Sequence, residues 1–571
     1  MEVLKSSEGT AQTVTKAEAD AGRQAARSIH LNADVWDLII REVDGRKNLS
    51  NLCLVSKNLY SLVIPHLYRS IQIGAKPPSS EAWLRSLCDD DFQTKEPTTQ
   101  WDESRALIRR LVQNPNGLQA EAVREVEGPS LERDVDDDFP SESEQDDLFT
   151  SLVNALPKLQ LVRLPRPKPA FERLISALSG HDNEPELHLL GEDGSRAVTG
   201  PMPCVTVLRA RVNPYCEEGD MPNRKMLGLQ ELFFACPNLK SFSLAVHGNY
   251  GGCVRVVPRH PMVKSFELSG KETFPPLQYL SLDGYPMEHG EWMRWREGLN
   301  WSNLASLSLG PRPDLDRMTR SGSNAHAESL QLLKRLTSSG VHAKSLRRFE
   351  LRNWAGEGRE SCSVLKRFLA SFETLEQLTV KGHFVPVRAV CNHTGLRRLC
   401  LHAIELPRGA AVARPTLGVA ELSELDARCP HLEELELDIH RDSNGWRKDI
   451  TTALASGFAN LRHLTLHSEV GIDWSNNRGQ QKDREPLLLP KLDVDLAKTL
   501  AEPFFAARPR SRLQTLTIKT GEDLRRFPQW PPAYERHERS ATLTVRIRAP
   551  SSPGGELAVE TEGLPWPYCM G

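Results

Sequence analysis

The chain has 571 residues, 39% of them hydrophobic and 26% charged, which is the balance of a folded, water-soluble protein rather than a disordered one. A formal net charge of −3 supplies no global basic field, so nucleic acid is not an expected partner. No apolar run reaches the roughly 18 residues of a membrane span, so no membrane association is expected either.

Residues 1–28 are polar and lack the apolar centre of a secretory signal, so they predict a disordered tail and a cytoplasmic or nuclear protein. The 11 cysteines agree. Their odd number and wide scatter do not make a disulfide framework, and reduced thiols serving as small buried hydrophobes are expected.

Residues 29–73 predict three short helices. Leu31, Val35, Leu38, Ile39 and Val43 recur at helical spacing on one stripe. Asn32 is a good N-cap, and Asp44-Gly45 a good stop. Leu49, Leu52 and Cys53 form a second stripe, and Leu59, Leu62 and Val63 a third that Pro65 should end. A block this small cannot bury its own apolar surface and requires a partner.

The pattern Leu31-Asn32-x-Asp34-Val35-x-x-x-Ile39, then Asn48-Leu49-x-x-Leu52-x-x-Val55-Ser56-Lys57, then Pro65-x-Leu67-Tyr68-Arg69 resembles an F-box of the fungal style. The likeness covers about forty residues. It departs from the family at Asn32, where Pro is usual. It implies docking onto a Skp-type adaptor, and through it onto a cullin ligase. The implied contact residues are Leu31, Val35, Leu38, Ile39, Leu49, Leu52, Val55 and Leu59.

Residues 74–147 read as a linker and cap. The segments EAWLRSL (81–87) and SRALIRRLVQN (104–114) have helical patterns, and DVDDDFPSESEQDD (134–147) is an acidic run expected to form a solvated loop.

From 148 to 549 one phrase recurs: Leu, two residues, an apolar residue, one residue, another apolar residue. Its leading leucines are Leu159, Leu239, Leu277, Leu304, Leu346, Leu375, Leu396, Leu432, Leu461 and Leu513, and Met202, Val205 and Val207 fit a further copy. The last two apolar positions alternate, so each phrase predicts a strand with one buried face. Segments such as 364–372 and 419–429 predict intervening helices. This region resembles the leucine-rich-repeat family, which implies an α/β solenoid with parallel strands on the concave face and helices outside. The fold expected for the whole is thus a three-helix F-box-like block followed by an irregular solenoid.

The irregularity is specific. The family's Asn or Cys after the strand is replaced by His247, Tyr285, Trp354, His383 and His440, so no Asn ladder is expected. The stretches 310–325 and 468–486 should be surface loops. The alternating segment 541–549 should end the sheet, with a flexible tail over 550–571.

No phosphate-binding glycine loop and no nucleophile elbow is present. Cys236-Pro237 and Cys429-Pro430 lack a second thiol at C-x-x-C spacing and should pack as small core residues. Cys391, His393, Cys400 and His402 are of zinc-ligand type, but their spacing makes a poor chelate. No metal, no cofactor and no catalysis are expected.

The residues alternating with the buried ones should instead face a bound protein: Arg348, Glu350, Arg352, Lys381, Arg398, His402, Glu434, Glu436 and Asp438, a mainly basic patch with an acidic neighbour. Together the two resemblances imply a non-enzymatic substrate receptor of a Skp-cullin-F-box ubiquitin ligase. A repeat scaffold without any ligase link is the alternative.

Overall fold

The structure is a computed structural model. It describes residues 32–43, 45–73, 97–128, 142–165, 171–194, 198–212, 221–246, 264–310, 325–338, 343–352, 359–382, 385–403, 415–442, 445–468, 492, 494–506, 512–520, 541–548 and 558–564. Leu31, the 1–28 tail, the 81–87 segment, residues 134–141 of the acidic run, most of both expected loops, and His247, Trp354 and His383 lie outside the described residues.

Three helices open it: α1 (Ala33–Arg41), α2 (Arg46–Cys53) and α3 (Lys57–Leu67). The strand β1 (Ser70–Gln72) follows at once. Then come α4 (Pro97–Gln113), α5 (Leu118–Ala122), β2 (Glu125–Glu127), α6 (Glu142–Ala155), β3 (Leu161–Leu164), α7 (Phe171–Ser179), β4 (Glu186–Glu192) and β5 (Val205–Val212). The middle runs α8 (Met221–Ala235), β6 (Ser241–Val246), β7 (Tyr279–Asp283), α9 (His289–Gly298), β8 (Ser306–Gly310), α10 (Ala325–Ser338), β9 (Arg348–Leu351), α11 (Arg359–Leu369), β10 (Gln377–Lys381), α12 (Val387–Val390) and β11 (Arg398–His402). The last part holds α13 (Val419–Arg428), β12 (Glu434–Asp438), a two-stranded ribbon β13 (Arg441–Asp442) and β14 (Gly445–Trp446), α14 (Lys448–Ser456), β15 (His463–Ser468), α15 (Val494–Ala506), β16 (Thr515–Thr520), β17 (Ala541–Arg548) and β18 (Ala558–Leu564).

All strands except β13 and β14 form one 16-stranded sheet in strict sequence order. Every pairing from β1 to β16 is parallel, and β16–β17 and β17–β18 are antiparallel. The molecule is therefore α/β, with a mostly parallel sheet built by simple repetition of strand and crossover. Among the described residues no helix is long and apolar enough to cross a membrane.

The recurring phrase explains the core. All ten leading leucines are buried, as is Met202. The alternate strand positions are buried too, as in β6, where Phe242, Leu244 and Val246 point inward. Those inward faces meet the helices: Phe233 of α8 lies 4.7 Å from Phe242 between ring centroids, and Phe368 of α11 lies 4.9 Å from Phe349 of β9. One face of the sheet thus carries helices, and the polar alternates lie on the other.

Several expectations need correcting. Pro65 does not end α3 but sits inside its last turn, where the only helical bond it forfeits is its own missing N–H to Ser61. Gly45, at φ +86°, starts α2 rather than capping α1, which ends at Arg41. The sheet begins at Ser70, well before residue 148, because Tyr68-x-x-Ile71 and Val123-x-x-Val126 repeat the phrase with other apolar residues in the leading place. Residues 142–147 of the acidic run are not a loop; they form the first turns of α6, where Glu144 pairs with Arg105 and Asp147 with Arg173. The 550–571 segment contains β18, so β17 does not end the sheet.

Candidate binding surfaces

The helical block is held together by a few polar clamps around a small core. Ile40, Val63 and Ile64 are its buried residues. The Ser56 hydroxyl caps α3 by accepting from the Leu59 N–H at 3.1 Å, and Asn32 caps α1 through the Asp34 N–H at 3.4 Å. His66 on α3 meets Asp37 on α1 at 2.8 Å. Arg46 donates to the carbonyls of Leu67 and Ser70 at 3.0 and 3.2 Å, tying α2 to the start of the sheet. Arg110 of α4 reaches the Tyr68 hydroxyl at 3.0 Å.

These clamps leave the apolar stripes outside. Leu38 is 62% exposed, Val55 68%, Val35 40% and Ile39 41%. Leu49, Leu52 and Leu59 are half-buried between the helices. Leu54, 85% exposed, is the most open of all, and sequence reasoning missed it because it falls off the helical stripe, at the turn between α2 and α3. Among the described residues, six of the nine large apolar side chains left exposed lie between Val35 and Tyr60, so the exposure is concentrated and not scattered.

Neither a family model nor a curated protein matches this chain.

The second cluster lies on the face of the sheet that carries no helix among the described residues. The sequence placed nine residues there, and the register brings them into rows: Arg348, Gln377, Arg398, Glu434 and His463 side by side, then Glu350, Thr379, Cys400, Glu436 and Thr465. The expected basic excess is not what these rows present, because all of their expected cations but Arg348 are matched within the sheet. Arg398 pairs with Glu434 at 3.1 Å. Arg352 reaches back over β8 to Asp283 at 2.8 Å and lies 3.4 Å from Glu350. Ser308 on the same face is buried and donates to Glu350. Among the described residues Arg348 has no ion-pair partner.

Across five adjacent strands the next row reads Lys381, His402, Asp438, His467, Lys519. His402 Nδ1 lies 2.8 Å from Asp438, whose other oxygen accepts the Ala403 N–H at 2.6 Å. Glu436, one residue pair lower, is the hub: its Oε1 lies 2.7 Å from His467 Nε2, 3.5 Å from Lys381 Nζ and 3.9 Å from Lys519 Nζ. The His467 hydrogen bond and the two lysines outweigh burial and hold this carboxyl far below the usual range. An ionised Glu436 can only accept, so His467 donates through Nε2. Burial lowers the His467 pKa and so favours the neutral ring. The two imidazoles stack with centroids 3.8 Å apart. Sequence reasoning missed His467 and Lys519, though both stand at the same phrase position as His402.

Cys391 and His393 lie in the turn after α12, while Cys400 and His402 lie on the strand face beside β12. Among the described residues no three His, Cys, Asp or Glu side chains are placed to hold a metal. The two Cys-Pro thiols are core groups at helix ends; burial pushes Cys429 up to about 12 and Cys236 higher still, so both stay protonated and unreactive.

Proposed function

We propose that the chain is a non-enzymatic receptor, with the α1–α3 block docking a Skp-type adaptor of a cullin ubiquitin ligase and the helix-free sheet face holding a target protein. The observation that carries the reading is the concentration of exposed apolar side chains on a block that the other described residues leave uncovered. The F-box resemblance names the partner, and four of its implied contacts, Val35, Leu38, Ile39 and Val55, are the exposed ones. The position of Asn32 supports it as well: Asn caps α1 in place of the family's Pro, so the helix start is kept.

Fully burying an aliphatic side chain is worth about 1.5–3 kcal/mol. Leu38→Asp with Val55→Asp should therefore weaken adaptor binding by at least about 100-fold in a pull-down with the purified adaptor. Both positions are exposed, so the melting curve should not move. An unaltered pull-down from the double variant would leave the chain a repeat scaffold with no ligase link.

A further inference from the structure

We propose that the row formed by Lys381, His402, Asp438, His467 and Lys519 is a proton-gated oxyanion site that receives a carboxylate or phosphate of the bound protein between the two lysines. The inference rests on the reading of this sheet face as the target-holding surface.

The geometry is that of an anion site already filled from within. Two ammonium groups and an imidazole N–H converge on a single oxygen, Glu436 Oε1. The lysines come from strands on opposite sides of β12 and are each more than a third exposed, so an outside anion can reach them. The imidazoles and Asp438 beneath are nearly covered, with His402 and Asp438 each 6% exposed. Among the described residues, the charged and titratable groups facing the row are Glu350 on β9 with its partner Arg352, Lys381 on β10, Cys400 and His402 on β11, Glu436 and Asp438 on β12, His467 on β15 and Lys519 on β16. Burial holds Cys400 protonated, so it adds no charge.

With both histidines neutral, and with Glu350 matched by Arg352, the two lysines are balanced by Glu436 and Asp438 among the described residues, and an incoming anion gains little. A proton on the stacked pair changes the balance. It tightens the imidazole–carboxylate bond to β12, leaves the lysines less committed to Glu436, and gives the row and Glu436 together a net positive charge. Stacked at 3.8 Å, the two rings repel one another once both are charged, so the first proton sets the response.

The test uses the full chain and two fluorescent probes, an oligoglutamate peptide and a phosphoserine peptide, with a glutamine peptide as control, read by anisotropy. Binding of an acidic probe should strengthen about tenfold between about pH 7.5 and 5.5. Lys381→Gln with Lys519→Gln should abolish it at both pH values. Glu436→Gln, which removes the internal competitor, should raise affinity at pH 7.5, and His467→Asn should flatten the pH response. Which probe binds more tightly identifies carboxylate or phosphate as the natural group. No binding of either probe, or unchanged binding in the lysine variant, overturns the site. If the lysine variant does not fold, Glu436→Gln decides in its place: no gain in affinity at pH 7.5 overturns the site. Adaptor capture by the same preparations separates this result from the fate of the helical block.

Discussion

At the scale of single residues, the helix layer contains a titrating group that belongs to neither candidate surface. Glu291 on α9 is buried, and its Oε1 accepts from the Tyr285 hydroxyl and from Trp295 Nε1 at 2.8 Å. Tyr285 in turn accepts the Phe266 N–H at 2.8 Å, so it satisfies a backbone donor just after β7. Burial lifts the Glu291 carboxyl to about 7, against the hydrogen bonds that favour its charge. The folded state therefore holds the proton more tightly than the unfolded chain, whose ordinary value is 4.5. The resulting stability is complete below about pH 4.5 and is lost as pH rises through about 7. Thermal melts should show this group contributing on the order of 3 kcal/mol across that window, and Glu291→Gln should remove its share of the slope. A wild-type slope that survives the substitution would place the titration elsewhere. Gly194 sits at φ +80°, and a Cβ there would come 1.8 Å from the Lys225 carbonyl oxygen. Gly194→Ala must move backbone, not a side chain, and should lower stability by about 2 kcal/mol or more in a denaturant titration.

At the scale of the element, each strand offers a choice between two kinds of force. Arg347–Glu376 at 2.6 Å and Arg397–Glu433 at 2.7 Å form an ionic ladder at the strand entries. Their side chains are well exposed, and such pairs contribute about 1 kcal/mol or less. Leu399, 2% exposed in β11, makes its contribution through packing, and its loss to Ala should cost about 2–5 kcal/mol. Arg397→Ala should thus be nearly silent in a melt where Leu399→Ala is severe; comparable losses would show the ladder to be the stronger element. The same contrast decides what was legible in the sequence. Leucine burial writes a strong periodic signal, so ten strands and the outward stripes of α1 could be read directly. Strand β4 could not, because its leading place is held by Glu184, which takes φ +47° at the corner instead of packing there. In β5 an extra residue, Thr206, shifts the register against β4, so Leu208 rather than Val207 points inward. Pairing on the open face was invisible for a different reason: Arg352 and Asp283 are brought together only by the stacking of β7, β8 and β9. The alternation in each phrase thus places the arginines on the right face, while their net charge depends on neighbours that only the fold supplies.

At the scale of the whole molecule, the sheet has a direction and two unlike ends. Parallel strands added one per repeat leave every new edge open, and each edge is a template for another chain. At the N-terminal end the edge is only the three residues of β1, with the helical block joined directly to it. At the C-terminal end the solution is a change of pairing. β17 turns back antiparallel on β16, matching Thr515 with Arg546 through Thr520 with Ala541, and β18 covers β17 in the same manner. The strand so covered, TLTIKT, alternates Leu516, Ile518 and Thr520 inward with Thr515, Thr517 and Lys519 outward, is rich in β-branched residues and carries a single charge. It has the composition of a sticky edge. A chain ending at Thr520 would keep all the parallel repeats, but Leu543 and Val545, both buried, would no longer cover the last leucines. It should elute as oligomers or aggregate at concentrations where the full chain is monodisperse, and Thr517→Lys in the truncated chain should restore part of the monomer by adding charge to the exposed edge. A truncated chain that remains monomeric, with an unchanged melting curve, would mean that β17 and β18 are appended to the sheet and do not close it.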